Sequence, residues 1–541
     1  MIKIFLTGLL FIFSNSYSQY TQQWVERYNG SDNSYDIANN LFLDEQSNVY
    51  VYGTTFNENT LTDISAFKYS SNGSLIWKYE YPSAEINNLQ DVYKDASNFS
   101  YLTGYIVDSS RIKLITIKLD PAGNSVWSSV TAIPNHETHI SHSITVDNSN
   151  NVYVLLDARN VATSRTDFII VKYNSAGTIT AQKIFEGSAD GDDNGIKILC
   201  DAQGNIFAAV NSFSTSSAAD IVIYKLDPNL NEIYYKRING QGNSDDGIVD
   251  MKLAYDNKIL FTAKVAGAGS SSDIGTYKID NSTGDILWQK FYNGVGNDID
   301  LPYAMTTDLN NNILVTGYAR NSHLIQSEDV ITLKYGTIGN LLWSRVYNDS
   351  VNGSDQGFSI CTDASGNVYI GGAGDHGNDH LAYLTLKYDA DGNFVWKGSY
   401  HYYHLSEDFI YKIAVNNAQD IFISGISFSN TSDYDITTIK YARQTGIYSN
   451  YGTVSDFKLY SNYPNPFNPS TKIRFYNPGR NFISIKVFDL NGKEIALLEN
   501  KILVSGNYEY EFKPGNLASG VYLYKVYYGE SFKTGKMIFN K

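Results

Sequence analysis

Six tryptophans set the terms for this chain. Trp24, Trp77, Trp127, Trp288, Trp343 and Trp396 are separated by 53, 50, 161, 55 and 53 residues. The long step is three periods, and its two silent positions hold Ala181 and Tyr234. Each tryptophan opens the same kind of stretch, as in Trp24-Val-Glu-Arg-Tyr-Asn, Trp288-Gln-Lys-Phe-Tyr-Asn and Trp343-Ser-Arg-Val-Tyr-Asn. A fixed period near fifty residues, with several short strands in each unit, is the pattern of a propeller or related array.

One unit shows how the period divides. Ile37 to Asp44 reads as strand A, and a Glu-Gln-Ser-Asn turn leads to strand B, Val49 to Gly53. Strand C runs from Asp63 to Tyr69, and after Ser-Ser-Asn-Gly73 strand D carries Trp77. Short alternating runs between Asp, Asn and Gly turns are β signals, and no 3.6-residue periodicity competes with them. The A–B turn recurs as Asp147-Asn-Ser-Asn-Asn151, Asp201-Ala-Gln-Gly-Asn205 and Asp363-Ala-Ser-Gly-Asn367. These strings look like calcium loops but lack the alternating oxygens and the distant Glu of an EF-hand, so Asp is expected to cap the turn. Strand C ends in lysine in every unit, from Lys68 to Lys334 and Lys440. A residue present in every unit marks no single active site. These lysines are expected to form ion pairs with the aspartates that end strand A.

Eight A–B–C sets are followed by only seven D strands. The last set, Ile410–Val415, Asp420–Gly425 and Asp435–Tyr441, has no tryptophan after it. The missing D strand is at Trp24, so the N-terminal strand is expected to complete the eighth blade and close the ring, removing open sheet edges. The fold class is therefore all-β: an eight-bladed β-propeller, with seven as the alternative count, followed by a small C-terminal β-sandwich. The motifs W-x-x-x-Y-N-G, D-x-x-G-N-V-Y-V-x-G and D-x-x-x-x-K-Y resemble the bacterial β-propeller repeat often called the seven-bladed propeller repeat. That resemblance covers residues 22–450.

Residues 1–18 read as a secretory signal peptide. Lys3 precedes an apolar run from Ile4 to Phe13, and Ser16 and Ser18 suit cleavage before Gln19. The run is too short to span a bilayer, and no other stretch is long and apolar enough for a transmembrane segment. The propeller is placed at 19–450. The tail, 455–541, differs in kind: five of the ten prolines lie beyond residue 460. Alternating Ile483–Val487 and the hairpin signal Asp489-Leu-Asn-Gly492 point to a small antiparallel sandwich. Its Tyr463-Pro-Asn-Pro-Phe-Asn-Pro469, Val487-Phe-Asp-Leu-Asn-Gly-Lys493 and Ser519-Gly-Val-Tyr-Leu-Tyr-Lys-Val526 closely resemble the type A C-terminal sorting domain of the type IX (Por) secretion system. That resemblance implies a partner in the secretion and sorting machinery, export across the outer membrane of a Bacteroidota-like bacterium, and release or attachment at the cell surface.

Charge narrows the partners. A formal net charge of −15 disfavours nucleic acid and anionic membrane surfaces. It suits a neutral glycan or a protein ligand. The two cysteines, Cys200 and Cys361, sit three repeats apart, beyond disulfide reach, and read as free thiols. The A–B and C–D turns are short and repetitive, whereas the D–A and B–C loops vary, so a specific site belongs with the latter. There the sequence clusters half of its eight histidines. Asp375, His376, Asp379 and His380 lie in one loop, and Tyr400, His401, Tyr403 and His404 in the next. No cofactor is required, but the four imidazoles have the chemistry to hold a divalent metal, and the tyrosines to stack on a sugar. A second cluster, His136-Glu-Thr-His139-Ile-Ser-His142, is not the HExxH of zinc proteases. No nucleophile elbow, P-loop or dinucleotide motif is present. These features favour a secreted or cell-surface binding and adhesion module. The alternatives are an extracellular hydrolase or lyase acting on polymer, and a structural surface-layer component.

Overall fold

Tryptophan, lysine and glycine meet in the same way in nearly every repeat, and that meeting explains the architecture. The computed structural model describes residues 20–443 and 457–541 apart from short segments, among them 186–190, 321–326, 376–379, 404–406 and 478–480. The signal-peptide stretch lies outside the described residues. By contact density the chain divides into two units, Met1–Thr445 and Gly446–Lys541. All secondary structure among the described residues is β-strand.

The first unit holds, among the described residues, eight four-stranded antiparallel sheets, an arrangement consistent with a β-propeller. In the first sheet the strands are Ile37–Leu43 (A), Val49–Asn57 (B), Leu61–Tyr69 (C) and Leu75–Glu80 (D), paired in that order. Strands B and C are almost wholly buried, and D alternates between exposed and half-buried. This gradient follows from burial on two faces against neighbouring sheets. The last sheet has Phe409–Val415, Ile421–Ser429 and Asp433–Arg443 as A, B and C, and its D position is filled by Tyr20–Tyr28. The A strands pack in series, each on the next, and that of the last sheet packs on that of the first. Between those two sheets Ala38, Leu41, Val51, Phe422 and Ile436 share one core.

The register of C against D is constant. Lys68 faces Trp77, Lys118 faces Trp127, Lys334 faces Trp343 and Lys440 faces Trp24. Five of the six indoles then reach into the C–D turn of the next sheet. The Nε1–H of Trp24 donates to Ser71 O (3.2 Å), that of Trp77 to Pro121 O (3.2 Å) and that of Trp288 to Thr337 O (3.0 Å). The ring lies on the turn's glycine. A Cβ on Gly177, at φ +81°, would come within 2.5 Å of Trp127. The positive φ and the close approach both require glycine there. The sixth tryptophan, Trp396, has no such turn ahead of it. It packs on Tyr20 instead, with centroids 4.9 Å apart.

The silent position obeys the same logic in reverse. Where strand D carries small Ala181, the next turn carries Leu230 in place of glycine, at φ +66° and buried. The two belong to one apolar cluster. A large residue from the turn fills the volume that a tryptophan would take from the strand.

The expected ion pairs with the aspartates that end strand A form at Lys334 and Lys68, and both are largely enclosed. Lys334 Nζ lies 3.0 Å from Asp308 Oδ2 with both side chains nearly inaccessible (4% and 1%). Lys68 pairs likewise with Asp44, whereas Lys278 and Lys440 pair with Asp256 and Asp420 of the A–B turn. Lys172 and Lys225 instead donate to backbone carbonyls of the next turn, at Pro228 (2.7 Å) and Asn281 (2.8 Å).

The second unit is a sandwich. Lys458–Leu459, Thr471–Asn477 and Gly506–Phe512 form one sheet. Glu494–Leu503, Asn481–Phe488, Gly520–Tyr528 and Ser531–Phe539 form the other. Ile473, Phe475, Ile485, Val487, Val526 and Met537 fill the space between. The expected turn at Asp489–Gly492 joins Asn481–Phe488 to Glu494–Leu503, with Gly492 at φ +82°. Phe467 of the proline-rich motif is buried in this core, and its N–H donates to Ile538 O.

Candidate functional site

The two ends of the sheets use aspartate differently. At the A–B and C–D end, Asp147 Oδ1 accepts the amides of Ser149 and Asn151 (both 2.9 Å), and Oδ2 accepts the Asn151 side chain (2.8 Å). Asp201, Asp308 and Asp363 repeat this pattern. The carboxylate oxygens are occupied by the turn itself, as the sequence reading expected, and a calcium ion would have to displace those bonds.

At the D–A and B–C end, strand A is preceded by a buried aspartate that ties two loops together. Asp36 accepts the amides of Gly30 (2.6 Å) and Phe56 (2.8 Å), and Asp355 those of Asp349 (3.0 Å) and Asp375 (3.2 Å). Asp246, Asp300 and Asp408 occupy the same place. Burial pushes these carboxyls up, Asp36 and Asp355 to about 7 and Asp300 and Asp408 to about 6, against the pull of the amide bonds. In the third sheet His139 stands in this position. It is buried, accepts the Ile133 amide at Nε2 (2.9 Å) and bonds Ile112 O through Nδ1 (2.8 Å). Its neighbours are also engaged, His136 with Asp167 (2.9 Å) and His142 with Asp157 (2.7 Å). The three histidines therefore act as separate structural groups.

The predicted site residues lie at this second end. Asp375 is the buried last residue of the strand Val368–Asp375, and His380 is half-buried just before Leu381. Tyr400 ends the strand Phe394–Tyr400, its ring 5.8 Å from that of Tyr383. His401 is exposed, and Tyr403 is half-buried against Phe428 (6.0 Å). Between them Tyr402 lies under the Arg27 guanidinium at 4.1 Å. His376, Asp379 and His404 lie outside the described residues. No group of three metal-ligating side chains occurs among the described residues. Cys200 and Cys361 are free, and burial raises both thiols to about 12.

The structure adds a feature that the residue-by-residue reading missed. Every A strand carries a bulge in its pairing with B, as between Pro302 and Ala304, Gly357 and Ser359, and Ile410 and Lys412. The bulged residue is Asn39, Gln90, His142, Ile196 or Val249 in the first five sheets, but Tyr303, Phe358 and Tyr411 in the last three. These rings connect. Tyr303 lies 5.1 Å from Phe358, Phe358 6.1 Å from Phe409, and Phe409 stacks on Tyr411 at 6.5 Å. The Tyr411 and Tyr35 phenols are hydrogen-bonded, and Tyr35 meets Tyr434 edge-on at 5.0 Å. The result is a half-buried aromatic belt that runs from the sixth sheet across the eighth to the first. The signal for it was present: aligning the eight A strands puts Tyr303, Phe358 and Tyr411 in one column.

The space within the circuit of A strands is narrow. Lys197 of the fourth sheet reaches Asp91 of the second, two sheets away, at 3.4 Å. Lys412 of the eighth sheet has its amine lowered by burial and then by the charge of Lys197.

Against this geometry, the first unit belongs to the class of all-β repeat arrays consistent with a β-propeller. Residues 461–540 match the secretion system C-terminal sorting domain family. Such a domain marks proteins that are secreted or attached to the cell surface, and this protein is one of them. A comparison with curated proteins finds no match. Among solved structures, the chain is similar to a protein of unknown function from Dyadobacter fermentans (10% identity, TM-score 0.35), over 59% of this chain and 96% of that one. An α-L-arabinofuranosidase from Fusarium graminearum shares 9% identity over 56% of this chain and 94% of its own, with a TM-score of 0.37. Drosophila semaphorin 1b, extracellular domains 1–2, shares 8% over 78% and 87%, with a TM-score of 0.36. The chemistry of the site rests on its own residues. No helix among the described residues is long and apolar enough to cross a membrane.

Proposed function

We propose that the first unit is an eight-bladed β-propeller, closed by Tyr20–Tyr28, and that it works outside the cell as a binding and adhesion module delivered by the type IX route. The observation that carries this reading is the aromatic belt. Half-exposed rings are gathered on the variable-loop end of one sector, while the opposite end is committed to repeated turns. Amphipathic aromatic surface at a concave mouth is what a binding site needs. A hydrolase or lyase needs paired carboxylates open to its cleft. The raised carboxyls at this end are enclosed, and each is spent on backbone amides. In sequence, the loops that carry His376, His380, His401 and His404 flank the strands that hold Phe358 and Phe409, and in this reading they are the next place to test for a ligand.

The test is a screen of the mature chain, residues 19–541, against immobilised glycans, extracellular-matrix proteins and divalent metals, beside a His376→Ala/His401→Ala variant. Binding of any one class that weakens when the loop end is altered supports the module. Failure of all three classes to bind would shift the protein to a structural role in a surface layer.

A further inference from the structure

We infer that the aromatic belt is a cleft for a single neutral polysaccharide chain, which lies over Tyr303, Phe358, Phe409 and Tyr411 and crosses the closure seam to Tyr35 and Tyr434. This deepens the binding-module reading and rests on it. Three observations select the occupant.

The first is continuity. Tyr303, Phe358, Phe409, Tyr411, Tyr35 and Tyr434 follow one another in single file over three sheets and the closure seam, each half-exposed. A single file of rings matches a linear chain of sugars, whereas the face of a folded protein would meet a broader patch.

The second is composition. Four of the six rings, Tyr303, Tyr411, Tyr35 and Tyr434, end in a hydroxyl. A flat apolar face beside a phenol matches a pyranose, which offers a C–H face and a rim of hydroxyls.

The third is charge. The loops around the belt carry Asp32, Glu328, Glu407 and Asp433, and the chain as a whole carries −15. Arg320, whose charge acts on Tyr318 next to Tyr303, is neutralised by Glu328 at 2.9 Å. The rim thus repels a polyanion and offers acceptors to hydroxyl groups.

The experiment uses the mature chain and calorimetric titration with cellohexaose, xylohexaose and mannohexaose, with polygalacturonate as the polyanion and fibronectin as a protein probe. Phe358→Leu and Tyr411→Leu keep apolar volume and remove the flat face, so folding is retained, and thermal melts check that it is. The expected result is binding of at least one neutral hexasaccharide, weakened about two- to tenfold by each variant, with polygalacturonate silent. Tyr235→Ala, an exposed ring on the outer strand of the fourth sheet, should leave binding unchanged. If both leucine variants melt early, Tyr434→Ala, in the outer part of the belt, carries the same comparison. Neutral sugars that do not bind, or that bind equally well to every folded variant, overturn the inference. Fibronectin binding that Phe358→Leu abolishes also overturns it, while leaving the binding-module reading intact. Silence from every probe removes both.

Discussion

The two ends of the eight sheets are built from the same residue types to opposite effect. At the turn end, Asp120 and Asp227 are held below the usual carboxylate range, first by the side chains of Asn124 and Asn231, and Lys258 draws Asp280 down to about 2. At the loop end, burial lifts Asp36 and Asp355 to about 7. Tryptophan and lysine lock each sheet to the next at the first end, in a pattern that hardly varies. At the second end the buried aspartates repeat but the aromatics do not. The difference teaches where to look in a periodic protein. What recurs in every sheet holds the array together, and what breaks the period in adjacent sheets is the place to test for a ligand.

This contrast can be broken most forcefully at the turn end. Lys334→Ala leaves Asp308 buried beside an empty place and is expected to cost about 3–5 kcal/mol, read by denaturant unfolding. A cost near that of an exposed lysine would show that the pair is dispensable. Trp77→Ala removes a half-buried ring and its bond to Pro121 O, for about 2–3 kcal/mol by the same measurement. Ala181→Trp should lose about 1–3 kcal/mol because Leu230 already occupies the space, and the added change Leu230→Gly should restore most of it. If the double variant is no better than the single one, the exchange of volume between strand and turn is not what sets this joint.

The smallest effect is one of slope. Carboxyls raised above their unfolded value near 4 contribute stability that is complete below that value and is lost as pH rises through 6 to 7. The lowered turn aspartates act in the opposite sense: their contribution is present above pH 4 and is lost as pH falls toward 2. Melting temperature should therefore peak in mildly acid buffer. Asp355→Asn should flatten the decline between pH 5 and 8, whatever it does to the absolute value. An unchanged slope would mean that Asp355 ionises freely within the fold.

Much of the scaffold was legible because periodicity averages over many copies. The tryptophan spacing placed strand D in every sheet, and the surplus A–B–C set pointed to the pairing of Trp24 with Lys440. The position of the buried aspartate was harder to see, because Asn87 and His139 replace it in the second and third sheets and change the residue type. The belt was hidden for two physical reasons. A bulge breaks the two-residue alternation, so period alone does not say that Tyr303 meets Phe358 of the next sheet. Its contacts also join residues such as Tyr35 and Tyr434, which are distant in the chain and adjacent only once the last sheet packs on the first. The histidines of the seventh-sheet loops drew attention to loops beside the belt, whereas the rings themselves sit on or next to the A strands of the sixth, seventh, eighth and first sheets.

The N-terminal strand also has a mechanical meaning. The chain leaves the first unit at the end of Asp433–Arg443, so a tether through the C-terminal domain would pull on that strand. It is not an edge strand. Tyr20–Tyr28 pairs along one side, from Tyr20 opposite Arg443 to Tyr28 opposite Ile436, and Ile421–Ser429 pairs along the other. A load along this strand is shared in shear by two ladders at once. A pull transmitted through the C-terminal domain would thus enter the first unit at the strand to which its N-terminal strand is already stitched.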